Sequence, residues 1–140
     1  MSIPSLEAIL DRDLAERIIS RSVEVFPQDG ILFRQGEQAG CLYFVKSGEA
    51  SLTMKAGDKE VRIRAGQGSL LGIPAIVGNQ PYSMTGKAAW EAEVFRLSRD
   101  AFNDLLKREP RMQQAALRIL TAEVRVARQA LSDLTSEGGV

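Results

Sequence analysis

Between Ser22 and Leu97 the chain is a series of short segments rich in β-branched and aromatic residues, separated by turns that contain glycine. The segments are SVEVF, ILFR, CLYFVK, SLTMK, VRIR and EVFRL, and the turns lie at Asp29-Gly30, Gly36, Ser47-Gly48, Gly57-Asp58 and Gly66-Gln67-Gly68. Strands this short and this regularly interrupted are typical of a closed roll or sandwich. The pattern therefore predicts a jelly-roll-like β-roll over residues 22–98.

Helical periodicity flanks the predicted roll on both sides. Apolar residues recur at three- and four-residue spacing between Ser5 and Ser20, at Leu6, Ile9, Leu10, Leu14, Ile18 and Ile19,. After Ser98, a second helix places Phe102, Leu105 and Leu106 on one face, and Pro110 begins a last helix that ends near Leu134,. We expect one mainly β domain with flanking helices: a helical segment (1–21), the roll (22–98), the C-terminal helices (99–134) and a frayed tail (135–140).

The last helix carries the most regular apolar pattern of the chain. Two sets of residues each recur every seven positions, offset by three: Leu117, Val124 and Leu131, and then Leu120, Ala127 and Leu134. This is the spacing of an a/d seam, which two helices bury against each other. Residues near the helix start (Met112, Ala115, Ala116 and Ile119) fit packing on the chain's own domain,. The pattern predicts a homodimer through the last helix.

The composition excludes several classes of function. The chain of 140 residues has 18 basic and 18 acidic residues, no histidine and one cysteine, Cys41. Disulfide frameworks, zinc sites of the Cys/His type and Ser-His-Asp triads are therefore excluded, and the zero net charge gives no global attraction to nucleic acid or membranes. We predict that the protein is not an enzyme and has no metal or other cofactor.

The remaining reactive residue types have ordinary explanations in the sequence. Cys41 begins an apolar strand and is expected to be a buried small hydrophobe, while Lys87, Glu91 and Glu93 fit exposed strand and loop positions,. Arg62 and Arg64 alternate with Val61 and Ile63, which predicts that the arginines lie on the wet face of a strand,. Since no signal peptide or membrane-length apolar run is present, a soluble cytoplasmic protein without a membrane partner is expected.

The segment GSLLGIPAIVGNQPYSMTGKA, residues 68–88, begins like a loop that cradles a phosphate. It contains Gly68 and Gly72 and a predicted helical turn after Pro74, but it has no acidic residue and Lys87 is its only base. A site of this kind would hold a ligand mainly with backbone groups.

Together with FRQGEQAGCLYFVKSGEASLTM (33–54), EVFRLSRDAFNDLL (93–106) and the long last helix, this segment resembles the cyclic-nucleotide-binding domain of the catabolite-activator (Crp/Fnr) type. The resemblance covers nearly the whole chain. It implies a phosphate-binding cassette in which backbone N–H groups face the cyclic phosphate, a glutamate binds the ribose and an arginine pairs with the phosphate.

Both charged residues of that cassette are replaced here. The Phe-Gly-Glu start of the family's cassette falls on Leu71-Gly72-Ile73, and the Pro-Arg-Ala/Ser end falls on Pro81-Tyr82-Ser83. On the last helix, Ala127-Arg128 stands where the bacterial activators have a Thr-Ser pair. Truncating one partner of a buried charge pair costs about 2–5 kcal/mol, so cyclic nucleotide is disfavoured as the ligand.

Three interpretations of the altered cassette follow from the sequence. The favoured one is a regulatory sensor of a different small molecule, with a pocket formed by Leu71, Gly72, Ile73, Pro81, Tyr82, Ser83 and Met84. The alternatives are a degenerate dimerisation or protein-docking module with a closed cassette, and weak cyclic-nucleotide binding. The ligand or protein partner is unknown, and direct DNA binding is not expected because the sequence ends six residues after Leu134, without a recognition helix,.

Overall fold

A computed structural model of the protein describes residues 23–138, and it describes side chains as far as Asp133, apart from Ala56. The predicted N-terminal helix of residues 5–20 lies outside the described residues. The described part of the chain contains eight strands: β1 (Glu24–Phe26), β2 (Ile31–Phe33), β3 (Cys41–Ser47), β4 (Ala50–Ala56), β5 (Lys59–Ala65), β6 (Leu70–Leu71), β7 (Thr85–Ala88) and β8 (Ala92–Ser98).

The strands form two antiparallel sheets of four strands each. One sheet has the order β1-β8-β3-β6 and the other has the order β2-β7-β4-β5. Neighbouring strands within each sheet are mostly distant in sequence, so the chain crosses repeatedly between the sheets and a common core fills the space between them,. The predicted β-roll is confirmed.

Strand β5 shows how the sequence pattern fixes the two faces of a sheet. Val61, Ile63 and Ala65 are buried, whereas Arg62 and Arg64 are exposed. Arg62 lies 3.6 Å from a carboxylate oxygen of Glu60, and Arg64 lies 2.8 Å from one of Glu49. The prediction that both arginines lie on the solvent-exposed face of the strand is confirmed.

The sequence pattern does not reveal two of the strands. β6 has only two residues, and β7 has the sequence TGKA, which contains no aromatic or large apolar residue. Both are strands because neighbours hold them: β6 pairs with β3, and β7 pairs with β2 and β4. Tertiary pairing therefore overrides local preference in the two strands that flank the predicted cassette.

Within residues 23–138, three helices accompany the strands: α1 (Ile73–Gly78), α2 (Arg99–Arg108) and α3 (Pro110–Gly138). The Ser98 side chain caps α2 by accepting a hydrogen bond of 3.2 Å from the backbone N–H of Ala101,. Pro110 begins α3 as predicted. The helix continues past Leu134 to Gly138, however, so the expected tail at 135–138 is wrong; extending an existing helix adds a backbone hydrogen bond for each residue fixed.

The first turns of α3 attach that helix to the roll. Met112, Ala115, Ala116 and Ile119 are buried, as the sequence predicts, and α3 packs against β5, α1 and α2. The helix thus covers the roll beside the short helix α1, which belongs to the predicted cassette.

Substitution of Gly86 tests the packing between the strands. It lies opposite Phe33 across the β2–β7 pair, and a Cβ atom placed on it would lie 2.7 Å from two carbon atoms of the Phe33 ring. We expect Gly86→Ala to lower the free energy of unfolding by about 1–3 kcal/mol, because the ring must move within a packed core. Urea denaturation measures the loss.

Gly66→Ala is the matched control for Gly86→Ala. No atom lies within 4 Å of its added Cβ, and we expect it to be neutral or to stabilise by up to about 1 kcal/mol,. Equal stability of the two variants would contradict the packing described here.

Candidate functional site

The cassette backbone has the predicted form. Strand β6 leads to Gly72, which has a φ of 97° and is the N-cap of α1. This left-handed conformation favours glycine, and a Cβ here would also approach the Tyr82 ring to 3.3 Å,. Pro74 lies in the first turn of α1 and has no N–H, and the helix has no acidic residue in its first turn and no basic residue in its last turn,. The cradle therefore offers few donors and no charge.

The two positions that replace the charged residues are both buried. Ile73 is fully buried, and Tyr82 is 5% exposed. The Tyr82 ring stacks on Phe33 with a centroid distance of 4.4 Å, and Phe33 stacks in turn on Tyr43 at 5.1 Å. We call Phe33, Tyr43 and Tyr82 the aromatic cluster. Its third pair, Tyr43 and Tyr82, is tilted with a centroid distance of 6.4 Å.

The hydroxyl group of Tyr82 is engaged with the backbone. It donates a hydrogen bond of 2.6 Å to the carbonyl oxygen of Cys41, and it accepts one of 3.4 Å from the N–H of the same residue. The Tyr82 hydroxyl therefore satisfies both backbone groups at the start of β3. Cys41 itself is half-buried, which corrects the prediction of a buried residue; it packs against the core at the strand end.

The other predicted cassette residues divide into two groups. Leu71 and Met84 are buried in the core, while Pro81 and Ser83 are exposed. The structure thus brings together Leu71, Gly72, Ile73, Tyr82 and Met84 as part of the packed interior. The hydroxyl groups of Ser83 and Tyr82 do not converge, because Ser83 is exposed and Tyr82 is buried.

Arg99 is a cassette contact that the sequence analysis missed. Its guanidinium donates hydrogen bonds to the carbonyl oxygens of Ala39 (2.9 Å) and Ile76 (3.3 Å) and to the side-chain oxygen of Asn79 (3.1 Å). Asn79 is the C-cap of α1 and has a φ of 50°. Arg99 therefore ties α2 to the carboxyl end of the cassette helix. Only its place at the start of α2 is visible in the sequence.

On α3 the predicted seam is only partly covered. Leu117 is 63% exposed and Val124 is 38% exposed, whereas Leu120, Ala127 and Leu131 are half-buried. The side chain of Leu134 is outside the described residues. A groove of about 620 Å³ runs along this face, lined by Leu120, Thr121, Val124, Arg125, Arg128, Gln129 and Ser132.

Glu123 is the second residue that the sequence analysis missed. It follows the buried stripe of α3, is 6% exposed, and has one carboxylate oxygen with no hydrogen-bond partner among the described residues. Burial raises the pKa of Glu123 from 4.5 to about 7,. Its spacing of four residues from Ile119 and seven from Ala116 was the available signal, but a glutamate at such a position is normally exposed.

A polar groove lies on the outer face of the second sheet, with a volume of about 1030 Å³. Lys87 and the two strand arginines are among its lining residues, whereas Glu91 is exposed at the β7–β8 turn. Glu93 accepts a hydrogen bond of 2.9 Å from the Ser47 hydroxyl. Glu91 is exposed as predicted, whereas Lys87 and Glu93 are half-buried on their strands. In the described part of the chain, no helix is long and apolar enough to cross a bilayer.

Comparisons with known proteins agree with this geometry. The family model "Cyclic nucleotide-binding domain" matches residues 23–109, more than half of the chain. A proposed potassium channel protein of Rhodopseudomonas palustris is 27% identical over 108 residues, which are 77% of this chain and 26% of the relative. This chain therefore spans about a quarter of the length of that relative.

Two solved structures are also similar. The catabolite activator protein of Thermus thermophilus matches 93% of this chain and 62% of its own, with 25% identity and a TM-score of 0.76. The regulatory domain of Toxoplasma gondii PKA, determined with cAMP, matches 71% of this chain and 39% of its own, with 29% identity and a TM-score of 0.60. The chain belongs to the cyclic nucleotide-binding domain family, and its fold is the β-roll of the catabolite-activator type.

Proposed function

We propose that this chain is a regulatory module whose cassette does not hold a cyclic phosphate and is closed by its own side chains, and that it acts through self-association of α3. The observation that carries the proposal is the position of Tyr82. Its ring is buried against Phe33 and its hydroxyl is bonded to the backbone of Cys41. Because Tyr82 is held in this way, its ring fills the interior of the cassette and does not line an open pocket.

The electrostatics of the cassette support the same conclusion. Ile73 and Tyr82 stand at the positions where the family resemblance implies glutamate and arginine, and neither is charged. The strand arginines Arg62 and Arg64 are exposed and paired with Glu60 and Glu49, and Arg99 is bonded to the carboxyl end of α1. A cyclic phosphate would therefore lose its water without gaining a charged partner, a loss of about 2–5 kcal/mol relative to a paired site.

A sensor of another small molecule is the interpretation that the sequence favours. That interpretation depends on a pair of hydroxyl groups, from Tyr82 and Ser83, available to one ligand. The Tyr82 hydroxyl already has a donor and an acceptor on Cys41, and Ser83 is exposed. The contacts therefore favour the closed module, which needs no ligand or cofactor for its fold.

Self-association follows from the uncovered apolar residues of α3. Leu117 and Val124 project into solvent seven residues apart, next to the half-buried Leu120 and Leu131. A second copy of the helix would cover this seam and bury its apolar surface. The flanking Arg125 and Arg128 line the same groove and can keep their charged ends in water at its rim,.

The matched relatives suggest how such a module would be used. The names of two of them, a catabolite activator protein and a PKA regulatory domain, describe regulators, and this chain covers only part of each. We propose that the domain likewise acts on a protein partner, by presenting a dimer, and that it has no catalytic activity of its own. The identity of that partner is not encoded in the cassette.

The first prediction tests whether Tyr82 fills the cassette. We expect Tyr82→Ala to lower the free energy of unfolding by about 3–5 kcal/mol, because it empties an aromatic site in the core. Tyr82→Phe keeps the ring and is expected to cost only about 1–3 kcal/mol, the penalty for the lost hydrogen bonds at Cys41. Chemical denaturation of ligand-free protein measures both. A loss below about 1 kcal/mol for Tyr82→Ala would instead indicate an open pocket.

The second prediction concerns cyclic nucleotides. Calorimetric titration of the wild-type protein with cAMP or cGMP should give no saturable heat at micromolar concentrations. The double substitution Ile73→Glu and Tyr82→Arg restores both charges and should improve binding, because the cassette backbone is already formed. Tyr82→Phe is the control and should not bind. Submicromolar binding by the wild type would refute the proposal for the cassette.

The third prediction concerns the seam on α3. Sedimentation at tens of micromolar should show a wild-type dimer, and the variant Val124→Asp with Leu131→Asp should be a folded monomer, because the seam would bury unpaired charges. Gln114→Asp places the same charge on an exposed position of α3 outside the groove and should leave the dimer intact. A monomeric wild type would rule out self-association as the mode of action.

A further inference from the structure

Glu123 is the least expected buried group in the described part of the chain. Only two buried side-chain atoms there have no hydrogen-bond partner, the hydroxyl oxygen of Ser69 and one carboxylate oxygen of Glu123. An unpartnered hydroxyl costs little in comparison with a carboxylate, which must either find a partner or take up a proton. Glutamate is almost never fully buried unless it is paired. The position therefore requires an explanation other than packing.

The surroundings of Glu123 on its own helix are apolar. The residues three and four positions away on α3 are Ile119, Leu120, Val126 and Ala127,. The buried stripe that precedes Glu123 rests on the roll, so the carboxyl group continues the face that attaches α3 to the domain. It does not belong to the seam of Leu117 and Val124.

Among the residues that the structure describes, no charged group on the elements packed against α3 compensates Glu123. Helix α1 has no ionisable residue. On β5, Glu60 and Arg62 pair with each other, Arg64 pairs with Glu49, and Lys59 has contacts of its own. On α2, Asp104 pairs with Arg108, Arg99 holds the cassette helix, and Asp100 and Lys107 are exposed. Burial is accordingly the only cause of the pKa shift at Glu123.

We propose that Glu123 is a proton-operated latch on α3: the helix lies on the domain with this carboxyl group protonated, and loss of the proton loosens the segment of α3 around it. The proposal does not depend on the state of the cassette. Because the adjacent Val124 belongs to the seam, loosening this segment also changes the surface that α3 offers to a second copy.

The direction of the pH effect follows from proton linkage. Glu123 has a pKa of about 7 in the folded protein and a reference value of 4.5. Between these values the folded state holds a proton that the unfolded state releases, so stability falls as the pH rises. The stabilising contribution is fully present below about pH 4.5 and is lost as the pH rises through about 7. Each pH unit in this window changes the unfolding equilibrium constant by about tenfold.

The experiment compares the wild type with Glu123→Gln, which has nearly the same shape and cannot ionise. Urea denaturation at fixed protein concentration from pH 5 to pH 8.5 should show the ratio of their unfolding constants changing by about tenfold per pH unit up to pH 7 and levelling off above it. Glu91→Gln removes an exposed carboxylate and should follow the wild type at every pH. Hydrogen exchange of residues 112–127, corrected for intrinsic rates, should show reduced protection at high pH in the wild type only.

Parallel pH curves for the wild type and Glu123→Gln would overturn the latch. So would equal protection of α3 in both proteins at high pH. Glu123→Leu is a second test, since it removes the titrating group and fits an apolar site, and its stability should not share the pH dependence of the wild type. If neither variant folds, a ¹³C NMR titration of the Glu123 carboxyl in the wild type replaces them. A midpoint near 7 supports the latch, and a midpoint near the reference value of 4.5 contradicts it.

Discussion

The contact between Tyr82 and the start of β3 determines the form of the site. One side chain stacks on Phe33 of β2 and bonds to the backbone of Cys41, so it joins the segment after the cassette helix to both sheets. Backbone hydrogen bonds hold the same segment to the β2–β3 loop, from Gly36 to Tyr82 (2.8 Å) and from Tyr82 to Glu37 (3.0 Å). The contacts that bury Tyr82 beside α1 therefore also hold the roll together.

The position of the aromatic rings gives the neighbouring glycines a packing role. Gly72 belongs to the segment that resembles a phosphate cradle, but here it leaves room for the Tyr82 ring, as Gly86 of β7 does for the Phe33 ring. The glycine backbone is thus compatible with packing alone, because the absence of a Cβ atom leaves room for a ring as well as for a phosphate.

The charges that would have served a ligand lie elsewhere in the fold. The strand arginines face the outer groove and are paired, and Arg99 holds the carboxyl end of the cassette helix instead of its amino end. The proposed regulatory element is therefore α3, which has two different faces. One face is buried on the roll and includes the unpaired Glu123, and the other exposes Leu117 and Val124. The residues that attach α3 to the domain and those of the proposed self-association therefore lie on one helix.

The sequence by itself determined the features that depend on local order: the short strands between glycine turns, the start of α3 at Pro110, the exposure of Arg62 and Arg64, and the loss of both cassette charges. Only the tertiary structure decided that TGKA is a strand, that the Tyr82 ring turns inward and that Arg99 reaches α1. It also decided that Glu123 is buried. These features depend on which distant segments meet, and spacing along the chain contains no information about the partner across a contact.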